Sequence, residues 1–106
     1  MQINIITGSE LKPLLADNKG KLVVLFTANW CSYCKMLEQE MDCALLDFRV
    51  IGVDLTDEED KAWDDYRIEV VPTALLFAGK TEVGRKAASR SGLRVGDIKS
   101  LYESHA

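Results

Sequence analysis

Apolar positions change period several times along this chain, and each change marks an element. Residues 2–6 (Gln-Ile-Asn-Ile-Ile) alternate and predict a first strand. Thr7 and Glu10 have capping-box spacing, with Ser9 as a second candidate cap. Pro13 then falls in or near the first turn of a short helix that ends by Asn18 and Gly20. Residues 21–27 are β-rich and almost continuously apolar, the mark of a central strand buried on both faces. Residues 31–48 switch to helical spacing. At 100° per residue, Cys34, Leu37, Met41, Ala44, Leu45 and Phe48 share an arc of about 100°, while Lys35, Glu40, Asp42 and Asp47 lie off it.

A short strand follows at 50–53. Thr56 and Glu59 repeat the capping-box spacing and predict a helix through Trp63 and Tyr66. Residues 73–78 form another apolar strand, Gly79-Lys80 a hairpin turn, and 81–88 the return strand. After a break at Ser91-Gly92, residues 95–103 read as a last helix with Ile98, Leu101 and Tyr102 inward. The order is β-α-β-α-β-α-β-β-α. It predicts an α/β fold with a central mixed sheet of about five strands and about four helices covering both faces.

Composition narrows the class. With 106 residues, 47% hydrophobic and 28% charged, residues 1–106 read as one globular domain. The apolar run Leu22 to Phe26, which no other exceeds, is far short of the ~20 residues that span a bilayer. The first residues show no basic segment followed by an apolar one, so the expectation is a soluble, cytoplasmic protein without a membrane role. The net charge of −4 argues against nucleic acid as a partner. Acidic residues cluster at Asp54, Asp57, Glu58, Glu59, Asp60, Asp64 and Asp65. Lys80, Arg85, Lys86, Arg90 and Arg94 form a sparser basic group, and both read as solvated faces.

Three cysteines are too few, and odd in number, for a disulfide scaffold. In Trp30-Cys31-Ser32-Tyr33-Cys34-Lys35, two of them sit where a buried strand meets a long helix. Unpaired N–H groups and the dipole at a helix N-terminus favour negative charge, so a sulfur there is stabilised as thiolate. Cys31 is expected to be exposed and Cys34, on the inward stripe, buried. The chemistry is thiol–disulfide exchange: Cys31 attacks a disulfide, and Cys34 resolves the mixed disulfide. Zinc needs four ligands, and only Cys43 and His105 remain, so no metal is expected. Cys43, about 180° around the helix from Cys34, reads as a partly buried spare thiol.

These residues resemble the thioredoxin family over nearly the whole chain. The resemblance rests on Trp-Cys-x-x-Cys-Lys after a buried strand, Val53-Asp54 at a strand end, Tyr66-x-Ile68-x-x-Val71-Pro72-Thr73, the hairpin and Gly92. Leu37-Glu38 and residues 53–57 also look like the branch containing the C-terminal domain of membrane thiol:disulfide interchange proteins. The resemblance implies a protein-disulfide reductase without a cofactor beyond the Cys31–Cys34 couple. Its partners would be disulfide-containing client proteins and an external reductase or thiol donor, and it would act as a monomer. It also implies that Pro72 is a cis-proline facing the cysteines, leaving the Val71 backbone to pair with substrate. Trp30, Tyr33, Val71, Pro72, Gly92 and Leu93 would surround Cys31 as an apolar docking surface.

The chain departs from the family pattern in several places. Ser32-Tyr33 replaces Gly-Pro, which leaves the redox potential open, and a tyrosine before the second cysteine is similar to glutaredoxins. Leu25 stands where the family carries a buried Asp, and Val50 where it carries the partner Lys. Losing both together is consistent, because a lone buried charge is costly. Gln39 is near the place of the family's helix proline. Glu38 lies about 40° from Cys34; it reads as a solvated carboxylate, though placed to stand in for the missing acid. Asp54 reads as a cap for the turn after it, and Trp63, Tyr66, Tyr102 and Phe48 as core. A glutaredoxin-like or partner-specific redox relay, or a thioredoxin-fold binding module with secondary redox chemistry, are the competing functions.

Overall fold

A computed structural model describes residues 3–105. The elements are β1 (Asn4–Thr7), α1 (Gly8–Ala16), β2 (Lys21–Thr27), α2 (Ser32–Cys43), β3 (Val50–Asp54), α3 (Ala62–Asp65), β4 (Thr73–Ala78), β5 (Thr81–Ala87) and α4 (Val95–Glu103). The sheet order is β1-β3-β2-β4-β5. β3 runs parallel to both β1 and β2, whereas β4 is antiparallel to β2 and β5.

The uninterrupted apolar run of β2 follows from its central place. Leu22, Val24 and Phe26 face a core with Leu11 and Leu15 of α1, Ala62 and Ile68. Val23 and Leu25 face a second core with Leu37 and Met41 of α2 and Ile98 and Leu101 of α4. With period 2, helices on both faces leave no position of the strand for a solvated side chain. Full burial of each such side chain is worth about 1.5–3 kcal/mol before the entropy of ordering it. The N-terminal cap forms as its spacing predicts: the Thr7 N–H donates to Glu10 Oε1 at 2.9 Å. It closes β1, however, so the strand covers Asn4–Thr7 rather than 2–6, and Gln2 lies outside the described residues.

Three expectations are corrected. The helix after the cysteines stops at Cys43, and Ala44 is extended at φ −82°, ψ 146°. Ala44, Leu45 and Phe48 therefore leave the inward arc: Leu45 is 93% exposed. Phe48 instead stacks on Tyr102 with ring centroids 4.1 Å apart. The cause is topological, because β3 is parallel to β2 and the chain must double back. A helix to Phe48 would leave Arg49 alone to turn into Val50.

The Thr56 capping box does not form, and α3 spans only Ala62–Asp65. Asp54 Oδ1 instead takes the Thr56 N–H and hydroxyl, capping the turn as expected, while the Asp57 and Asp60 carboxylates take the N–H groups of Glu59 and Ala62. These local bonds offer the backbone an alternative to the helix. Cys43, read as partly buried, is exposed.

Candidate active site

The chain leaves β2 at Thr27 and reaches Cys31, the N-cap of α2, in extended conformation (φ −102°, ψ 114°). Its sulfur does what a serine oxygen commonly does there: it accepts the Cys34 N–H at 3.2 Å, one of the donors a helix N-terminus leaves unpaired. The Cys31 thiol also faces the Val71 carbonyl at 3.5 Å. The Cys31 sulfur thus joins two segments 40 residues apart in sequence. Cys31 is partly exposed, Cys34 is fully buried, and both are free thiols.

Burial pushes the Cys34 thiol far above its ordinary range. Its hydrogen bond with the Cys31 side chain acts in the same direction, as do the nearby charges of Cys31 and Glu38, while the Ala28 backbone opposes them. Cys34 is therefore protonated at neutral pH in the dithiol state. Leu25, at the position of the missing acid, is buried among apolar side chains and offers no base. Among the described residues, no group of three or more His, Cys, Asp or Glu side chains is placed to hold a metal ion.

The Val71–Pro72 bond is cis. The loop is pinned on both sides: the Thr73 hydroxyl donates to the Val70 carbonyl at 2.7 Å, and the Ala88 N–H to the Pro72 carbonyl at 3.0 Å. Trp30 is 52% exposed. Its indole N–H donates to the Thr56 carbonyl at 3.0 Å, and its ring stacks on Trp63 at 6.5 Å. Trp63 in turn donates to the Asp57 carbonyl. Sequence reasoning assigned Trp63 to the core alone; it also supports the exposed indole beside the thiol. Sequence reasoning also missed Val70, an exposed valine that extends the apolar rim next to Val71. The only signal for it was a Val-Val pair in a loop just ahead of a proline.

Tyr33 lies over Gly92. Gly92 has φ +85°, and a Cβ there would stand 2.7 Å from Tyr33 Cδ1. Leu93 is buried behind it. The segment is tied back to α2 by Glu40, whose carboxylate takes the Val95 N–H at 3.0 Å and the Arg94 guanidinium. Of the predicted surface, Trp30 and Tyr33 neighbour Cys31 along the chain, the Val71 carbonyl meets its sulfur, Pro72 follows Val71 and Gly92 lies against Tyr33; Pro72 and Gly92 are buried and offer backbone shape rather than exposed area. Gly92→Ala should lose about 1–3 kcal/mol of stability, from the left-handed backbone and the displaced tyrosine. Urea denaturation checks this, and a loss below about 0.5 kcal/mol would show that the loop relaxes freely.

Comparison with known proteins agrees with this geometry. The family profile described as Thioredoxin matches residues 2–98. The chain is 35% identical over 104 residues to a thioredoxin of Mycoplasmoides gallisepticum, covering 94% of this chain and 98% of that one. It is 42% identical over 72 residues to thioredoxin H2-1 of Oryza sativa subsp. japonica, covering 64% of this chain and about half (51%) of that protein. Among solved structures, thioredoxin f2 of Chlamydomonas reinhardtii superposes with a TM-score of 0.80 at 22% identity, covering 97% of this chain and 95% of that one, a likeness of fold. A buried thiol one turn behind a capping thiol, on a five-stranded mixed sheet with four helices, thus sits in a chain whose matches run nearly end to end: it belongs to the thioredoxin family of thiol–disulfide oxidoreductases.

Proposed function

We propose that Cys31 is the nucleophile and Cys34 the resolving thiol of a dithiol reductase acting on protein disulfides. The observation that carries this reading is the Cys31 sulfur at the α2 N-terminus, holding the Cys34 N–H and reachable from solvent. The thiolate of Cys31 attacks a client disulfide, one client sulfur leaves with the electron pair, and a mixed disulfide forms. Cys34, once deprotonated, attacks Cys31; the second client sulfur leaves, and the Cys31–Cys34 disulfide carries the two electrons' worth of oxidation. An external reductase or thiol donor returns the pair to the dithiol, and the reaction needs no other cofactor.

Trp30, Tyr33, Val71, Pro72 and Gly92 form the client-binding rim, with an extended client strand laid along the Val71 backbone. Residues 1–106 act as one domain and as a monomer in the cytoplasm. No described helix is long and apolar enough to cross a membrane.

The test is trapping. Cys34→Ser, mixed with a disulfide-bonded peptide, should accumulate a covalent adduct that mass spectrometry places on Cys31. Recovery of free variant with released peptide at the parent rate, or an adduct on Cys43, would remove the assignment.

A further inference from the structure

Cys34 has a proton to lose and, with Leu25 in place of an acid, no carboxylate inside the core to take it. One turn along α2 stands Glu38, at the i,i+4 spacing that brings side chains together on one helix face. It is partly buried rather than fully solvated, and it helps line an open notch of about 200 Å³. The notch is walled by Ile5 of β1, Thr27 of β2, Ala28, Asn29, Lys35 and Asp54. Ala28, whose backbone meets the buried Cys34 sulfur, is also a wall of the notch, so a single residue links the two.

We propose that Glu38 is the proton acceptor for Cys34, reached through solvent in this notch. The proposal rests on the assignment of Cys34 as the resolving thiol. In the step, the Cys34 S–H bond breaks and its proton passes to the Glu38 carboxylate. The thiolate pair forms the Cys31–Cys34 bond, and the bond from Cys31 to the client sulfur breaks with its electron pair on the client. Glu38 then gives the proton to solvent or to the departing thiolate. Charge and electrons balance without another reactant.

The other charged groups near the notch fit this assignment less well. Asp54 Oδ1 is already held by the N–H and hydroxyl of Thr56. Lys35 cannot act as an acceptor while it carries its proton. Asp42, one turn beyond Glu38, borders a neighbouring notch with Ile3, Ile5 and Glu38, and lies farther along α2 from Cys34. Ile3, Ile5 of β1 and Thr27 of β2 do not titrate in the working range. Among the described residues the ion pairs are Arg85–Glu82 and Arg94–Glu40, so no cation claims Glu38.

The sign of one experiment decides the matter. A carboxylate that acted only as a neighbouring charge would hinder ionisation of Cys34, and its removal would speed resolution. A proton acceptor predicts the opposite. Reduced parent, Glu38→Gln and Asp54→Asn proteins are each mixed with a disulfide-bonded peptide, and acid-quenched samples are read by mass spectrometry across pH 6–9. For Glu38→Gln, the mixed disulfide on Cys31 should form at the parent rate and resolve at least about tenfold more slowly at pH 6, within the range of general-base effects. The deficit should shrink as pH rises and solvent ionises Cys34 directly. Asp54→Asn should resolve like the parent, and Glu38→Asp should recover part of the rate.

Resolution of Glu38→Gln at the parent rate or faster overturns the proposal, as does a deficit that is independent of pH. If the parent itself never passes through an adduct on Cys31, the assignment of the cysteines falls first, and this proposal with it.

Discussion

Cys31→Ser abolishes disulfide reduction while the domain stays folded. The expected loss of turnover is at least about 10³-fold, the scale on which removal of a covalent nucleophile acts. At 1.36 kcal/mol per factor of ten, that is more than about 4 kcal/mol of lost transition-state stabilisation. The chemical reason is plain: a serine hydroxyl is scarcely ionised near neutrality and cannot share an S–S bond. The structural reason makes the result clean. Residue 31 is the N-cap of α2, its sulfur accepting the Cys34 N–H. Serine is among the favoured N-caps, so the helix keeps its first bond and the core beneath it is untouched. Turnover on a disulfide-bonded peptide, with denaturation as the control on folding, makes the measurement. A variant within tenfold of the parent would show that some other thiol does the work, and exposed Cys43 would be the first to examine.

The second large effect lies inside the sheet. Leu25→Asp places the family's acid where this chain has adapted to its absence. Leu25 is fully buried between Gly52 of β3 and Ala74 of β4, on the face packed by Leu37 and Met41. The substitution removes a leucine from a packed core, a change of about 2–5 kcal/mol when alanine replaces it, and adds the desolvation of a carboxyl group. A loss of about 4 kcal/mol or more is expected, a large share of the 5–15 kcal/mol typical of a domain.

The pH dependence has a definite sign. Burial raises the folded-state pKa of such an aspartate above its unfolded value. The penalty therefore grows as pH climbs from the unfolded towards the folded pKa, and it is smaller at pH 4 than at pH 7. Leu25→Asp with Val50→Lys supplies the charge partner that the resemblance pairs with the acid, on a residue of the same core, and should recover part of the loss. Urea denaturation at the two pH values checks all three points; a loss under about 1 kcal/mol at pH 7 would mean that the core admits water at that position.

The two predictions concern opposite ends of one design. At the mouth of α2 the sulfur is held by backbone geometry, meeting the Cys34 N–H and the Val71 carbonyl. One turn deeper, the described residues bury no carboxylate to receive the proton of Cys34. Chemistry that the family's buried acid would perform from within the sheet is displaced here to the solvent edge of the helix, where Glu38 and the notch beside β1 and β3 lie.

Much of this was written in local pattern. The limits of β2, β4 and α4 follow from apolar runs and 3.6-residue periods bracketed by turn residues, because an element buried on a known face has one register that hides its apolar atoms. The cysteine pair at a strand–helix junction was equally legible, since capping is a property of three or four neighbouring residues. What tertiary structure alone decided is where local signals compete or stop. The helical period runs on through Ala44, Leu45 and Phe48, yet α2 ends at Cys43 because the parallel strand β3 demands a reversal. The Thr56 cap spacing lost to the bonds of Asp54, Asp57 and Asp60. Glu38 stood at the right angle to Cys34 in the sequence. Its partial burial, and the notch it lines together with Ala28, exist only because β1 and β3 pack along that side of the helix, and no periodicity encodes a contact between segments so far apart in the chain.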